Sequence, residues 1–292
     1  MKNFSQFWAR NLSIYYMLLA CFYFSLLGAL SKILSEQINS VEIVFFRNLI
    51  GLFIILVALR KNREWGKGGK PVLLVFRGVI GAVGLLLFFH NIAHIDLGTA
   101  YTFQKTAPIY IALFSAYFLG ERLSALGWCA IILGFVGIAL IVQPHVGVST
   151  NDIIGVCGGI CMGAALTSVR ELRRYYSTDV IILSFMFFGV AVMAGLLVAG
   201  EFGAGIFKFE FPNLFGWVLV ALVGVSGYLY QLYVTKSYAA TRKAGIPAAV
   251  SYADVVFSIV LGLALGDALP NALALAGIAV VIASGLLIAK EK

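Results

Sequence analysis

Charged residues are scarce in this sequence of 292 residues: Asp, Glu, Lys and Arg make up 12%, whereas hydrophobic residues make up 61%. A soluble domain carries roughly 25% charged residues. A fold of this size in water needs more polar surface than this composition supplies. The composition therefore excludes an ordinary soluble globular domain and predicts that lipid surrounds most of the chain.

Cysteine and histidine are also few, at four and three residues. The cysteines all lie in apolar segments, at Cys21, Cys129, Cys157 and Cys161. This placement predicts small buried packing residues rather than a disulfide or metal framework. His90 and His94 are spaced so that one metal ion would reach both, but histidines are common near a membrane surface. The sequence predicts no metal site and no cofactor.

Apolar runs, by contrast, fill the chain. Ten of them approach the roughly 20 residues that cross a bilayer, at 13–31, 41–59, 71–92, 97–119, 125–142, 153–169, 179–200, 213–235, 245–265 and 271–289. The first has no convincing signal-peptide cleavage site after it, so it is predicted to be a retained helix. The predicted fold class is an all-α membrane protein with ten transmembrane helices.

Lys and Arg are unevenly distributed between the two sides of these segments. Sixteen of the 21 fall on the side of the N-terminus, two (Lys32 and Lys208) fall on the opposite side, and three lie within segments. Short cytoplasmic loops are rich in Lys and Arg. The pattern predicts a multi-pass protein of the cytoplasmic (inner) membrane with both termini cytoplasmic. It also accounts for the net charge of +8 without a nucleic-acid partner.

Residues 93–120 and 239–266 align without a gap at an offset of 146 residues, half the chain. Glu121 and Asp267 then follow at equivalent positions. Five segments per half is an odd number, so the second half is predicted to be inverted in the membrane, as in many secondary transporters. The predicted units are residues 1–147 and 148–292.

The run from Leu119 to Leu123 (Leu-Gly-Glu-Arg-Leu), together with Ala107-Pro108 and Phe45-Phe46-Arg47, resembles the EamA family of the drug/metabolite transporter superfamily. The second-half echo at 265–269 has Asp in place of Glu and lacks the following Arg. The resemblance implies ten-helix carriers of small metabolites that work by alternating access. It also implies a central cavity lined by helices 1–4 and 6–9, with helices 5 and 10 peripheral.

Two ionisable residues fall near the middle of predicted segments. Lys105 lies roughly 12 Å and Asp254 roughly 14 Å into the segment, at 1.5 Å per residue. Charges at this depth are costly and point to a binding site or pathway. The alternative is a direct ion pair between Lys105 and Asp254 that holds the two halves together.

Other charged residues lie nearer to the ends of segments. Arg47 is predicted either to face the cavity, as the resemblance implies, or to extend its side chain to the membrane surface. Arg77 and Glu42 are close enough to segment ends that such snorkelling is predicted for both.

Aromatic and amide side chains surround the central charges in the sequence. Tyr101, Gln104 and Lys105 share one helix face by i,i+3 and i,i+4 spacing. Such a face suits a small organic ligand, although aromatic stripes more often serve packing. The predicted substrate-binding residues are Arg47, Tyr101, Gln104, Lys105, Tyr228, Gln231, Tyr252 and Asp254.

Proline and glycine mark local features within the segments. Pro108 and Pro247 remove backbone hydrogen bonds and permit bending, as a static kink or as a hinge. Gly155, Gly159 and Gly163 form two successive G-x-x-x-G steps, which predict close helix packing.

These features favour a carrier over other membrane proteins. An intramembrane enzyme is the first alternative, but the sequence has no H-E-x-x-H motif and no recognisable buried Ser/His dyad. A non-transporting, receptor-like protein would not require the repeat or the central charges. The predicted partners are the lipid bilayer and a small molecule that bears a carboxylate or phosphate, such as an amino acid or related metabolite. Proton coupling, exchange and the oligomeric state are left open.

Overall fold

The computed structural model describes residues 2–61, 68–118, 120, 124–143, 147–204, 208–240, 247 and 250–291. This part of the chain is mostly helical, and no strand occurs in it. The helices there are α1 (Lys2–Leu34), α2 (Ser40–Lys61), α3 (Pro71–His94), α4 (Leu97–Gln104), α5 (Ala107–Phe118), α6 (Ala125–Val142), α7 (Thr150–Leu172), α8 (Thr178–Ala199), α9 (Leu214–Ala239), α10 (Ala253–Ala264) and α11 (Ala272–Glu291). A π-helical turn, Gly200–Ala204, follows α8.

These helices overlap each of the ten predicted apolar segments. Seven of them, α1 to α3 and α6 to α9, are long and apolar enough to cross a membrane, and α10 and α11 are shorter apolar helices. The all-helical class and the multi-pass membrane character are therefore confirmed.

The predicted segment at 97–119 is two helices, α4 and α5, rather than one. The break follows from Pro108, which has no N–H to give to the carbonyl of Gln104 and whose ring crowds that carbonyl. At the break the chain tightens, with Thr106 N bonded to Phe103 O at 3.1 Å. The bending predicted at Pro108 thus takes the form of a break between two helices.

Helices from the first half of the chain pack mainly against helices from the second half. The largest contacts pair α1 with α9, α3 with α7, α2 with α8 and α6 with α11. Small residues permit the last of these pairings, since a Cβ at Gly137 would lie 3.0 Å from Gly277 O and one at Gly277 would lie 2.8 Å from Gly137 O. Ser284 Oγ donates to Ala130 O across the same contact at 2.7 Å.

Large apolar side chains cover the exterior of this bundle. Phe53, Phe118 and Phe202 are 71%, 70% and 89% exposed. Apolar surface on this scale is typical of a face that contacts lipid.

The cysteine prediction is correct only in part. Cys21 is buried and Cys161 is half-buried, but Cys129 and Cys157 are exposed. Periodicity alone does not separate a lipid-facing from a core-facing position when every face of a helix is apolar. All four thiols are free.

The predicted snorkelling of Glu42 is wrong. Its side chain is fully buried and accepts hydrogen bonds from Asn39 Nδ2 at 2.8 Å and Glu210 N at 2.9 Å. The segment before α9 folds over the start of α2, so the carboxylate is satisfied by protein donors instead of water.

Candidate functional site

Two helix breaks lie side by side in the interior. The first is the turn at Lys105–Thr106 between α4 and α5, and the second is the turn at Ser251–Tyr252 before α10. Lys105 Nζ lies 3.4 Å from Ser251 Oγ, and these two residues are 146 positions apart. The two breaks therefore touch at the offset predicted from the sequence.

The local geometry on either side of the breaks is also equivalent at this offset. The helices that follow, α5 (Ala107–Phe118) and α10 (Ala253–Ala264), have 12 residues each. Each is followed by a glycine with positive φ, 66° at Gly120 and 92° at Gly266. A left-handed residue of this kind ends a helix at little cost when it is glycine.

Lys105 and Asp254 form a direct ion pair, which was predicted from the sequence as the alternative to a binding site. Lys105 Nζ lies 2.8 Å from Asp254 Oδ2, and the side chains are 15% and 2% exposed. Lys105 lies at the C-terminal end of α4 and Asp254 in the first turn of α10. Each charge thus lies at the helix end whose dipole favours it.

The ion pair leaves one oxygen of the carboxylate unsatisfied. Asp254 Oδ1 is buried and has no hydrogen-bond partner among the described residues. A buried acceptor in this state costs free energy comparable to a lost hydrogen bond. The position can therefore accept a further donor, such as an ammonium group.

Helix α1 forms one wall of the site and holds the second break in place. Ser25 Oγ donates to Asp254 O at 2.9 Å, and Cys21 Sγ lies 3.6 Å from Ser251 O. These contacts hold α1 against the second break through two of its backbone carbonyls.

Helix α7 closes the other side of the first break through its glycine face. A Cβ at Gly159 would overlap Thr106 Oγ1 and lie 3.0 Å from Phe103 O, and one at Gly163 would lie 2.5 Å from Tyr110 Cβ. The G-x-x-x-G steps therefore serve the close packing that the sequence predicted, and the surface they pack against is the interrupted helix.

An aromatic cluster on Phe24 of α1 extends from the site. The Phe24 ring lies 4.5 Å from the Tyr230 ring, 4.9 Å from Tyr101 and 5.7 Å from Phe88, centroid to centroid. Tyr101 is fully buried and donates its hydroxyl to Phe24 O. Sequence reasoning missed Phe24, because a phenylalanine in an apolar helix carries no polar signal.

The other predicted site residues divide into two groups. Tyr252 is 5% exposed, its ring centroid lies 5.7 Å from Lys105 Nζ, and its hydroxyl packs against Gly285. Gln104 and Gln231 are half-buried on α4 and α9. Tyr228 is 42% exposed on the lipid-facing stripe with Val225, so it lies apart from the others.

Arg47 does not extend to the membrane surface. Its side chain is 7% exposed, its Nη1 donates to Asn48 Oδ1 at 3.0 Å, and its Nε has no partner among the described residues. Arg77, for which snorkelling was predicted, has Nε and Nη1 buried as well, and its Cζ lies 4.7 Å from the Phe185 ring centroid. That prediction is wrong because α8 covers the side chain.

Charged residues also tie segments together at both ends of the bundle. At one end, Asp267 pairs with Lys32 and accepts from Leu97 N at 2.9 Å, and Lys32 Nζ also donates to Ile95 O at 2.9 Å. We call these four residues the Asp267 cluster.

At the opposite end, Lys70 Nζ lies 2.8 Å from Glu171 Oε1. This hydrogen bond lowers the pKa of the Glu171 carboxyl below its usual value and raises the pKa of the Lys70 ammonium above its own.

Known transporters are similar in sequence to this chain. Residues 11–143 match the model of the EamA-like transporter family. The chain is similar to an uncharacterized transporter of Helicobacter pylori strain J99, with 33% identity over 94% of this chain and 93% of the relative. It is also similar to the pseudopaline exporter CntI of Pseudomonas aeruginosa, with 31% identity over 94% of each chain. A solved crystal structure superimposes with a TM-score of 0.60 at 19% identity, covering 96% of this chain and 97% of its own, which indicates a shared fold alone.

Proposed function

This chain belongs to the EamA-like transporter family of the drug/metabolite transporter superfamily, and from that membership we propose that it is a secondary transporter that carries a small organic metabolite across the membrane by alternating access. The substrate class that we propose is an amino acid or a related compound with a carboxylate or phosphate group. The observation that carries this proposal is the buried Lys105–Asp254 pair, 2.8 Å apart, where two helix breaks meet.

The two helix breaks provide irregular backbone inside the protein, where a polar substrate can be bound. Irregular backbone at membrane depth is tolerated only inside protein or beside a water-filled cavity, and transporters use such broken helices to bind polar substrates. We propose that a substrate amine takes the free Oδ1 of Asp254 and that a substrate carboxylate or phosphate competes for the cations. Binding would then weaken the Lys105–Asp254 pair and bias the two halves toward rearrangement.

The remaining residues have supporting roles in this proposal. Tyr101 and Tyr252 form aromatic walls, Gln104 and Gln231 offer amide donors and acceptors, and Arg47 adds a positive charge. Tyr228 is left out because its ring lies on the exposed stripe of α9.

We further propose ten membrane spans arranged as two inverted units, 1–147 and 148–292, in the cytoplasmic membrane with both termini cytoplasmic. The matching helices α5 and α10 and the equivalent glycines Gly120 and Gly266 support the repeat. The excess of Lys and Arg on one side supports the orientation. Reporter fusions should place both termini on the cytoplasmic side, and opposite locations would contradict the inverted arrangement.

Transport itself is tested with purified protein in proteoliposomes. A thermal-stability screen of amino acids and phosphate-bearing metabolites should first select a ligand. Its uptake should then saturate and show counterflow, which separates a carrier from a channel or a receptor. Asp254→Asn should abolish counterflow of an amine-bearing ligand, and equal flux in this variant would overturn the site.

The names of the relatives point to transport rather than to catalysis.

Whether transport is coupled to protons is tested with the same vesicles. If Asp254 releases Lys105 by accepting a proton, a proton gradient with the acidic side outside the vesicles should accelerate uptake by the wild type.

A further inference from the structure

A second set of buried polar nitrogens lies between α2, α3 and α8, and it shares Arg47 with the site proposed above. It consists of Arg47 and Asn48 on α2, Arg77 on α3, and the Phe185 ring on α8. The Cζ atoms of the two arginines lie 6.0 Å and 4.7 Å from the centroid of this one ring. The two Cζ atoms are therefore no farther apart than the sum of these two distances.

The hydrogen-bonding groups left over at this position are all donors. Arg47 Nε, Asn48 Nδ2, Arg77 Nε and Arg77 Nη1 are buried and have no partner among the described residues. Asn48 uses its oxygen to accept from Arg47 Nη1 at 3.0 Å, so only its amide donor remains. A site with several donors and no acceptor is incomplete until an acceptor binds.

The positive charge is unbalanced as well. Within the described residues, each ion pair found joins other groups: Lys32 with Asp267, Lys70 with Glu171, Lys105 with Asp254, and Arg174 with Glu171. Two guanidinium groups buried without a carboxylate are costly, because the low dielectric strengthens their repulsion and removes their hydration. Among the described cations with buried nitrogens, Lys105 is neutralised by Asp254, whereas Arg47 and Arg77 have no carboxylate partner.

We propose that Arg47, Asn48 and Arg77 form a binding site for an oxyanion, a carboxylate or phosphate group, with the Phe185 ring supporting both guanidinium planes. Guanidinium forks match the geometry of carboxylate and phosphate oxygens and bind them with two parallel hydrogen bonds. An aromatic face stabilises a cation laid against it.

Small residues leave room for this arrangement. A Cβ at Gly81 would collide with Arg77 Nη1 and one at Gly189 would collide with Asn48 Nδ2. Arg77 lies six residues after the start of α3 at Pro71, about 9 Å along the axis. Arg47 lies seven residues after the start of α2 at Ser40, about 10 Å from the opposite end of the bundle, so the site lies between the two ends.

The inference rests on the proposed function, because it names the chemical group by which the transported compound is held. It places that group on the arginines and leaves Asp254 for a positively charged group. The experiment below reads binding rather than flux, so it can fail or succeed independently of the transport assay.

The test measures thermal unfolding of the purified full chain in a neutral detergent. Sodium phosphate should raise the unfolding midpoint of the wild type by a few degrees over sodium chloride of equal ionic strength. Arg47→Gln and Arg77→Gln should each weaken phosphate binding by about tenfold or more, because a charge-assisted hydrogen-bonding group is lost. Arg77→Lys should keep part of the response, since it retains the charge without the fork.

Arg60→Gln is the matched control, because it removes the same charge from an exposed position of α2. It should respond to phosphate as the wild type does. In chloride alone, Arg77→Gln should unfold no earlier than the wild type, because no described carboxylate loses its partner. A clear fall in its midpoint would overturn the proposal by revealing a structural partner.

The source of the anion is distinguished with nanodiscs of phosphatidylcholine, with and without phosphatidylglycerol. Protection by phosphate in detergent indicates a free anion or an anionic substrate. Protection of the wild type but not Arg77→Gln by phosphatidylglycerol alone indicates that the phosphate belongs to a lipid headgroup. Both outcomes support the oxyanion site, and protection by neither overturns it.

Discussion

The two sets of buried charges differ in the helices that hold them. Lys105 and Asp254 lie at the ends of interrupted helices, where the dipoles of α4 and α10 favour each charge and where the two residues pair directly. Arg47 and Arg77 lie within uninterrupted helices, α2 and α3, which have no free backbone groups to offer. The comparison indicates that a broken helix can neutralise a buried charge from within the protein, whereas the two arginines on continuous helices have no carboxylate partner among the described residues.

The largest expected effect on stability concerns the paired charges. Lys105→Met or Asp254→Asn strands its partner in the interior and should cost about 3–5 kcal/mol of unfolding free energy. The double variant removes both charges and should recover most of this loss. Denaturant unfolding of the three variants gives the coupling energy. Additive losses would contradict the pairing, and recovery with unchanged ligand affinity would refute the binding role.

The next effect concerns the packing that supports the first break. Gly159→Ala places a methyl group against Thr106 Oγ1 and Phe103 O, and overpacking of this kind costs about 1–3 kcal/mol. Gly195→Ala in α8 is the control, because a Cβ there meets nothing within 4 Å. Unfolding in denaturant should separate the two variants. Equal stability would mean that the break does not depend on the close approach of α7.

A smaller effect is expected at the exposed pair of Lys70 and Glu171. The lowered pKa of Glu171 means that its contribution to stability is complete above the ordinary value of about 4.5 and is lost as pH falls through the folded-state value. The raised pKa of Lys70 means that its contribution is complete below about 10.5 and is lost as pH rises further. The destabilisation of Glu171→Gln should therefore vanish in acid. Glu36→Gln, which removes a carboxylate at an exposed position, is the control variant.

The smallest effect on stability is expected at Arg47, where the effect on transport is large. Arg47→Gln leaves no described carboxylate without its partner and keeps an amide that can donate to Asn48 Oδ1, so folded yield and unfolding midpoint should remain close to those of the wild type. Uptake of an anionic substrate should be abolished, because the guanidinium is lost from the oxyanion site. Normal transport kinetics in proteoliposomes would assign Arg47 a packing role instead.

Features set by one helix alone were predictable from the sequence. The ten apolar segments follow from length and hydropathy, and the interruption at Pro108 follows from the missing N–H. The interior position of Lys105 and Asp254 follows from counting residues along a helix, and the offset of 146 already paired the segments that carry them.

Features set by a neighbouring helix were not predictable in the same way. Helix α9 carries both polar and apolar residues around its axis, so the exposed position of Tyr228 and the half-buried position of Tyr230 become clear only when α1 is in place. The distance of Arg77 from the end of its helix suggests snorkelling, and only the position of Phe185 on α8 shows that the guanidinium is covered. Phe24 carries no polar signal, and its importance lies in the rings around it.

The Asp267 cluster has a consequence for the opening of its end of the bundle. One carboxylate there holds the end of α1 through Lys32 and the start of α4 through Leu97 N. Three parts of the chain that are distant in sequence are therefore joined at this end through one carboxylate. Under the alternating access that we propose, replacement of Asp267 should ease their separation at this end without removing any contact of the Lys105–Asp254 pair.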